Sequence, residues 1–425
     1  MDWFWILALI ALALQTGLLL IALFAPGLRY LVSDPRAEAL DSEQFYQTVC
    51  VLTNALCGEK TSIEVLANGE NYYAAELESV KSARSSIHLE AYIFANGKVT
   101  DSFMDAMEER ARAGVEVRIV VDAIGSATFS SERIDKLRAA GGKFEWYGPL
   151  RWYSWPRLNN RTHRELLIVD GSTAFVGGSG WADQWMYAQE KDKTRWRDTM
   201  VRVEGPAVSG LQAAFSENWL EGSGEVLTDK KFWRFPEGQG DSRAMVVRSS
   251  PMTGRSTTAR ILFQVLLASA KKRIYIETPY FLPDKSIRDE LVRAIKERGV
   301  EVQIITPGPG TDHMLTRRSS RRLFGPLLEA GARIHEYQPS MMHAKILVVD
   351  STWAVVGTTN IDPRSFSLND EVNLATPDYR VAQRLEADFH TDLTQSREVN
   401  YQEWKRRGIA ERIHEWFGGI IERQQ

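Results

Sequence analysis

The sequence predicts an α/β protein made of one unit repeated twice: two lobes, each a mainly parallel sheet flanked by helices, related by a pseudo-twofold axis and preceded by one transmembrane helix. Three observations predict it. The stretch RTHRELLIVDGSTAFVGGSG at 161–180 has a near-twin, MMHAKILVVDSTWAVVGTTN, at 341–360. Strand-period and helix-period patterns alternate around both stretches, the mark of sheets covered by helices. Trp3 to Ala25 is a run of 23 residues without a charge. A chain of 425 residues, 44% of them hydrophobic, is long enough for two domains and their cores.

Residues 1–28 read as the anchor. The apolar run is interrupted only by Gln15, Thr16 and Gly17 and is followed by Pro26, and its length spans a bilayer. A cleaved secretory signal would be shorter and start with basic residues, whereas this chain starts with Asp2. Arg29 and Arg36 follow the run and no basic residue precedes it. The positive-inside rule therefore expects a single-pass protein of the cell (inner) membrane with its body in the cytoplasm. Residues 29–61 read as a linker. Its two cysteines, Cys50 and Cys57, could form a local disulfide but are too few to define a compartment or a metal site.

The first lobe is expected at 62–245 and the second at 246–400. SARSSIHLEAYIFANGKVTDSFMDAMEERARAGVEVRIVVD (82–122) parallels SAKKRIYIETPYFLPDKSIRDELVRAIKERGVEVQIITP (269–307). Each reads as a helix end, an alternating strand, a helix with apolar positions three and four apart, a glycine (Gly114, Gly299) and a β-rich strand. LRAAGGKFEWYGP (137–149) parallels LLEAGARIHEYQP (327–339), a helix stopped at glycine and then a strand. The histidine stretches close each unit, and DTMVRVEGPAVSGLQAAFSENW (198–219) parallels EVNLATPDYRVAQRLEADFHTDL (371–393). A period this long, occurring twice, is a duplicated domain and not a solenoid. Packing about a pseudo-twofold axis would bring equivalent points together, so a site at the join takes one motif from each lobe. Residues 401–425 place Trp404, Ile409, Ile413, Trp416, Phe417, Ile420 and Ile421 on one helical face, expected to dock on its own domain or to lie on a membrane surface.

In HAKILVVD, strand alternation puts His343 and Lys345 on one face. An imidazole beside an ammonium suits a phosphate ester: the cation holds the non-bridging oxygens, and the imidazole attacks phosphorus or protonates a leaving oxygen. A lone His-x-Lys is common by chance. Its weight here comes from Asp350 and from the recurrence of His163 and Asp170 at the same spacing in the first copy. Asp350 stands at a strand end before a turn, where a structural hydrogen-bonding role is expected. With 52 Lys+Arg against 55 Asp+Glu the chain lacks the broad positive field of a dedicated nucleic-acid binder, and no nucleic-acid partner is expected. No cluster has metal-ligand spacing, so no metal or other cofactor is expected either. Nothing in the sequence specifies an oligomeric state.

These motifs resemble the phospholipase D superfamily, whose mark is His-x-Lys-x4-Asp present twice, and more closely its bacterial cardiolipin synthase branch. TPYFLP (278–283), VGG followed by ADQW, WRDTMVRVEGPAV (196–208) and GTTNIDPRSF (357–366) all read like that branch, and the similarity runs from roughly 62 to 420. The resemblance implies a metal-independent, two-step displacement in which one histidine attacks the phosphodiester to give a phosphohistidine. The other histidine protonates the departing alcohol and then activates the acceptor. It implies His163 as nucleophile and His343 as acid and base, with Lys345, Asp170 and Asp350 completing the motifs. Acidic partners fix histidine tautomers; Asp198 and Glu371, at equivalent positions after the two motifs, are assigned that role.

The first copy departs from the pattern twice. Glu165 stands where the family has lysine and the second copy has Lys345, and Gly180 stands opposite Asn360. At about 4 Å and an effective dielectric near 20, each unit of charge contributes roughly 4 kcal/mol, so an uncompensated reversal would oppose a phosphate severely. Three readings follow. Glu165 pairs with Arg161 or Arg164, leaving phosphate to Lys345, Asn360, Ser179 and Thr359; or it binds a hydroxyl of the acceptor, such as a glycerol headgroup; or the first half-site has decayed. RWYSWPRL (151–158) brings Trp152, Tyr153 and Trp155 ahead of the first motif, as a membrane interface favours. TRRSSRRLF (316–324) sets Arg317, Arg318, Arg321 and Arg322 on one helical face, either solvated or against anionic headgroups.

The expected function is that of a membrane-anchored phosphatidyltransferase of the cardiolipin synthase type acting on phosphatidylglycerol. The alternatives are a hydrolytic phospholipase D producing phosphatidic acid and a lipid-binding homologue with impaired catalysis. A nuclease of the same superfamily is disfavoured by the anchor and the charge balance.

Overall fold

The computed structural model describes residues 3–24, 28–34, 38–149, 159–189, 193–235, 238, 240–251 and 257–408, with side chains in the first stretch only as far as Gly17. The apolar run forms helix α1 (Trp3–Phe24), with Trp3, Phe4 and Trp5 exposed. Among the described residues no helix is long and apolar enough to cross a membrane. The expected linker at 29–61 carries structure of its own. Helix α2 (Glu43–Leu52) starts where the Ser42 hydroxyl accepts the Phe45 N–H, and a disulfide ties Cys50 to Cys57 in β1 (Leu56–Ala67).

The first repeat runs β1, α3 (Gly69–Ser82), β2 (Ser86–Ala91), α4 (Lys98–Arg112), β3 (Glu116–Asp122), α5 (Ser131–Ala139), β4 (Lys143–Tyr147), a short β5 (Arg161–Thr162), β6 (Leu166–Val169), β7 (Thr173–Gly177), β8 (Thr199–Glu204) and α6 (Val208–Ser223). The second repeats that order without the short strand: β9 (Ser242–Ser249), α7 (Thr258–Ser269), β10 (Arg273–Glu277), α8 (Lys285–Arg298), β11 (Glu301–Pro307), α9 (Met314–Ala330), β12 (Arg333–Tyr337), β13 (Ile346–Val349), β14 (Trp353–Gly357), β15 (Asn369–Thr376) and α10 (Tyr379–Thr394). A last strand, β16 (Ser396–Glu398), and helix α11 (Tyr401–Lys405) follow. Side-chain caps start α5, α7, α8 and α10 at Ser130, Thr257, Asp284 and Asp378. Gly299 and Gly331, both left-handed, end α8 and α9, as a helix C-terminus favours.

The expectation of mainly parallel sheets is corrected. In each repeat only β2, β3 and β4, or β10, β11 and β12, run parallel; the pairs β6–β7, β7–β8, β13–β14 and β14–β15 are antiparallel. For the hairpins β6–β7 and β13–β14 the reason is connection length. Parallel neighbours need a crossover of a dozen residues or so, and only 170–172 and 350–352 lie between the strands of each hairpin. Asp170 and Gly171, like Asp350 and Ser351, take positive φ there, as the tight hairpin turn requires.

The two repeats also share one sheet. Read across, the order is β16-β12-β11-β10-β13-β14-β15-β9-β1-β8-β7-β6-β2-β3-β4, so apart from β16 it runs through equivalent strands from either end. At the centre the equivalent strands β1 and β9 pair with each other antiparallel, which is what a local twofold relation produces. Helices α3, α4 and α5 cover the outer face of the first half, and α2, α7, α8 and α9 that of the second. A third cluster, with α6 and α10, draws on strands of both halves, and β14 lies against β7 and β8.

Two expected surface features resolve locally. Arg317 and Arg321 of α9 turn to the buried Glu336 of β12, at 2.7 and 2.6 Å. In α11 Trp404 docks on the same domain, its Nε1–H donating to the Arg321 carbonyl at 2.7 Å; the rest of the expected terminal helix, from 409 onwards, lies outside the described residues.

Candidate active site

Hairpins β6–β7 and β13–β14 decide where each motif residue goes. The histidine precedes the first strand of its hairpin and the aspartate follows it, so the two sit at opposite ends. Four residues at about 3.3 Å each keep them at least roughly 13 Å apart. Asp170 accepts the backbone N–H groups of Arg84, Ser85 and Ser86 at 3.0, 2.7 and 3.0 Å. Asp350 accepts those of Lys271, Lys272 and Arg273 at 2.8, 2.7 and 2.8 Å. Each fixes the entry into β2 or β10, the structural role expected of Asp350; the motif's regular spacing thus belongs to the scaffold at its far end, and neither aspartate stands beside a histidine.

The histidine ends meet at the join of the repeats. Strand β5 runs parallel to the start of β15, pairing Arg161 with Asn369 and Thr162 with Asp370, and the His163 N–H donates to the Asp370 carbonyl at 2.9 Å. On the other side Arg197 bridges Met342 in parallel, and the His343 N–H donates to the Arg197 carbonyl at 2.7 Å. Each histidine is thereby set beside the next residue of the opposite repeat. His163 Nδ1 lies 3.1 Å from both Glu371 carboxylate oxygens, and His343 Nδ1 lies 2.8 Å from Asp198 Oδ2. A carboxylate only accepts, so both Nδ1 atoms carry the proton and both Nε2 atoms keep the lone pair, that of His343 facing the Lys345 ammonium at 3.2 Å.

The acids are themselves braced. Glu371 receives the Thr358 hydroxyl and the Asn369 amide, the latter at 3.4 Å. Asp198 receives the Trp185 indole N–H at 3.0 Å and the Thr199 N–H at 2.8 Å. Burial works to raise Asp198, but the Lys345 ammonium and the His343 hydrogen bond outweigh it and hold the carboxyl below its usual range. Trp185 and Trp196 wall the His343 ring at 5.3 and 5.6 Å, and Tyr92 meets the His163 ring edge-on at 5.4 Å. Sequence reasoning missed Tyr92, Thr358, Asn369 and both tryptophans in these roles. The tryptophans did stand inside quoted motifs, but a single ring carries no periodic signal.

Lys345 is buried. Its Nζ donates to the His343 carbonyl at 2.8 Å and the Gly178 carbonyl at 3.3 Å, and lies 2.7 Å from His343 Nδ1 and 3.2 Å from Nε2. Since the Nδ1 hydrogen is directed at Asp198, the ammonium touches the ring without a second hydrogen bond at that nitrogen. Burial lowers the proton affinity of Lys345, offset in part by Asp198, Glu165 and Glu371. Burial also lowers that of His343, and Lys345 adds to the effect. Asn360 is buried, with Oδ1 unpartnered among the described residues. Thr359 Oγ1 accepts the Asn373 amide at 2.8 Å, and the Ser179 hydroxyl donates to the Gly180 carbonyl at 3.0 Å.

Pairing of Glu165 with an arginine is corrected. Arg161 pairs with Asp122 at 3.3 Å and Arg164 with Glu217 at 2.9 Å; alternation turns Arg164 to the face opposite Glu165. Glu165 is buried instead, its Oε1 accepting the N–H groups of Tyr92 and Ile93 at 3.2 and 3.4 Å. Trp152, Tyr153 and Trp155 lie outside the described residues.

Fold and site together define a duplicated α/β protein whose site is completed by both repeats. The chain belongs to the phospholipase D superfamily, in its cardiolipin synthase branch: the family described as cardiolipin synthase, PLD-like domain, matches it twice, over 77–219 and 264–393. It is 35% identical to the probable cardiolipin synthase YwiE of Bacillus subtilis over 90% of this chain and 76% of that one. It is 32% identical to cardiolipin synthase 1 of Bacillus cereus, over 85% of this chain and 72% of the other. Among solved structures, the phosphatidylserine synthase of Haemophilus influenzae superposes with a TM-score of 0.70 at 14% identity, covering 90% of this chain and 100% of that one; at that identity the likeness is one of fold.

Proposed function

We propose that the protein joins two phosphatidylglycerol molecules into cardiolipin and releases glycerol, through a phosphohistidine at His163. The observation that carries this is the crossed pairing of each histidine with an acid of the other repeat, His163 with Glu371 and His343 with Asp198. In the first step His163 Nε2 attacks phosphorus and the bond to the glycerol headgroup breaks, the leaving oxygen taking a proton from His343 Nε2. In the second, the headgroup hydroxyl of another phosphatidylglycerol gives its proton to His343 and attacks the phosphohistidine, which frees His163. Asp198 stabilises the charged imidazole needed first, and burial of His343 favours the neutral base needed second. The names of the relatives support the same substrate class.

In this reading the uncharged run from Trp3 to Ala25 in the sequence serves as a membrane anchor. Arg29 and Arg36 argue for a cytoplasmic body; the Cys50–Cys57 disulfide, at home in an oxidising compartment, argues the other way.

The test is lipid mass spectrometry on the full chain in mixed micelles with phosphatidylglycerol. Wild type is expected to yield cardiolipin and glycerol, and His163→Ala neither. Phosphatidic acid alone would replace transfer by hydrolysis, and undiminished turnover by His163→Ala would remove that residue from the chemistry.

A further inference from the structure

Glu165 occupies the position that Lys345 holds in the second repeat, and its surroundings are built for it. Oε1 takes two backbone N–H donors, from Tyr92 and Ile93. Oε2 is buried and has no partner among the described residues. The approach of that backbone depends on the other departure of the first copy. A Cβ at Gly180 would stand 2.5 Å from the Ile93 carbonyl oxygen, 3.0 Å from Ile93 Cβ and 3.3 Å from Glu165 Oε1. Any side chain there would push residues 92–93 away from the carboxyl they cap. Glutamate at 165 and glycine at 180 are therefore one device, held also by the Tyr73 hydroxyl, which donates to the Gly180 carbonyl at 2.6 Å. A decayed half-site has no reason to keep both halves of it.

The charge state follows from what faces the carboxyl. Lys345 approaches from the second repeat, Asp198 from the start of β8, Tyr73 from α3 and Tyr92 from the end of β2; His163 stands two residues before it. The Lys345 ammonium donates to the carbonyls of His343 and Gly178, and among the described residues no cation bonds either oxygen of Glu165. Three buried carboxyls, Asp198, Glu165 and Glu371, thus share the field of one ammonium, and Glu371 has donors from His163, Thr358 and Asn369. Asp198 has donors from His343, Trp185 and Thr199 to sustain its charge, and Glu165 has only the two long bonds at Oε1. Of these groups, Glu165 is the one whose surroundings favour the neutral form. Burial pushes its carboxyl well above the usual range, the Ile93 N–H, the Lys345 charge and the Tyr92 N–H offset this only in part, and Asp198 adds to the rise.

We propose that Glu165 binds substrate as a neutral carboxyl whose Oε2 hydroxyl donates a hydrogen bond to a non-bridging phosphoryl oxygen, so that one cation, Lys345, and one uncharged donor hold the phosphodiester. This rests on the phosphodiester reading of the site and specifies how that site works without a second lysine. It also accounts for the unpartnered Oε2, a donor whose acceptor arrives with the substrate.

The experiment compares full-length wild type with Glu165→Gln, Glu165→Leu and Glu165→Lys for binding of inorganic phosphate at neutral pH, alongside difference infrared spectra. Glutamine keeps an acceptor for Tyr92 and Ile93 and a donor in place of Oε2, so binding is expected to weaken only about threefold. Leucine and lysine leave those N–H groups unpaired, and binding is expected to fall about tenfold to a hundredfold. Wild type should show a protonated carboxyl band at neutral pH that shifts on adding phosphate and is missing from Glu165→Gln. Absence of that band, equal losses in Glu165→Gln and Glu165→Leu, or tighter binding by Glu165→Lys would each overturn the proposal. Circular dichroism identifies a variant that fails to fold, and Glu165→Gln, nearly isosteric, keeps the comparison decisive. Neither readout needs turnover, so a failure to make cardiolipin would count against the proposed reaction and leave this test standing.

Discussion

At the scale of single residues, the crossed acids give the site its asymmetry of roles. In the proposed reaction Glu371 orients the attacking imidazole and Asp198 the imidazole that moves protons, so Glu371→Gln should impair chiefly formation of the phosphohistidine and Asp198→Asn both its formation and its breakdown. Each is expected to lower transfer about a hundredfold or more. With labelled phosphatidylglycerol and rapid quenching, Glu371→Gln should accumulate little labelled protein, whereas Asp198→Asn should slow glycerol release and breakdown of any label together. Equal accumulation in both would deny the division of labour. Both acids were legible in the sequence, because aligning the repeats puts them at matching places. Which histidine each serves was not, since the pairings span 145 and 208 residues and no local pattern records a contact of that range. Glu165 failed differently: two arginines close in sequence made a pair plausible, and strand alternation together with Asp122 and Glu217 took both of them elsewhere.

At the scale of elements, the motif aspartates show that a sequence signature can mark the scaffold as well as the site. Asp170 caps the start of β2, and its carboxyl is held below the usual range because three backbone N–H groups, led by Ser86, outweigh the effect of burial. A depressed value in the fold means stability that is fully present above the ordinary aspartate value of about 3.9 and is lost as pH falls through the lower folded value. Asp170→Asn should therefore cost roughly 1–2 kcal/mol near neutral pH, allowing for solvent screening of a half-exposed group. The gap from wild type should narrow below about pH 4, as measured by chemical denaturation across pH. A constant gap would assign the cost to packing and not to the charge. The order of strands and helices in both repeats was visible in advance from periodicity and glycine stops. Strand direction was not, because hydrophobic alternation is the same for parallel and antiparallel neighbours; the three-residue links at 170–172 and 350–352 held the answer. Helix α2 went unread inside a stretch taken as a linker, its apolar face only ten residues long and justified by a partner in the second repeat.

At the scale of the whole molecule, duplication and a shared site are one fact. The repeats join through β1 and β9, and a single core takes strands from both halves together with α6 and α10. Neither repeat can close that core alone, and neither holds a histidine with its own acid. The site is consequently complete within one chain, whatever the number of chains in an assembly. That makes a prediction about mixtures. Chains carrying His163→Ala and chains carrying His343→Ala, refolded together or co-expressed, should give no more cardiolipin than either variant alone, because exchanging repeats between chains would break the β1–β9 ladder and open the common core. If the site were instead assembled between chains, a fraction of mixed assemblies would regain one intact pair of histidines, and transfer would rise well above the single variants as the ratio approached equality. Activity measured across mixing ratios, with the oligomeric state followed by light scattering, separates the two: a flat response places both halves of the reaction in each chain, and a maximum at equal mixing would require the repeats to find their partners in a neighbour.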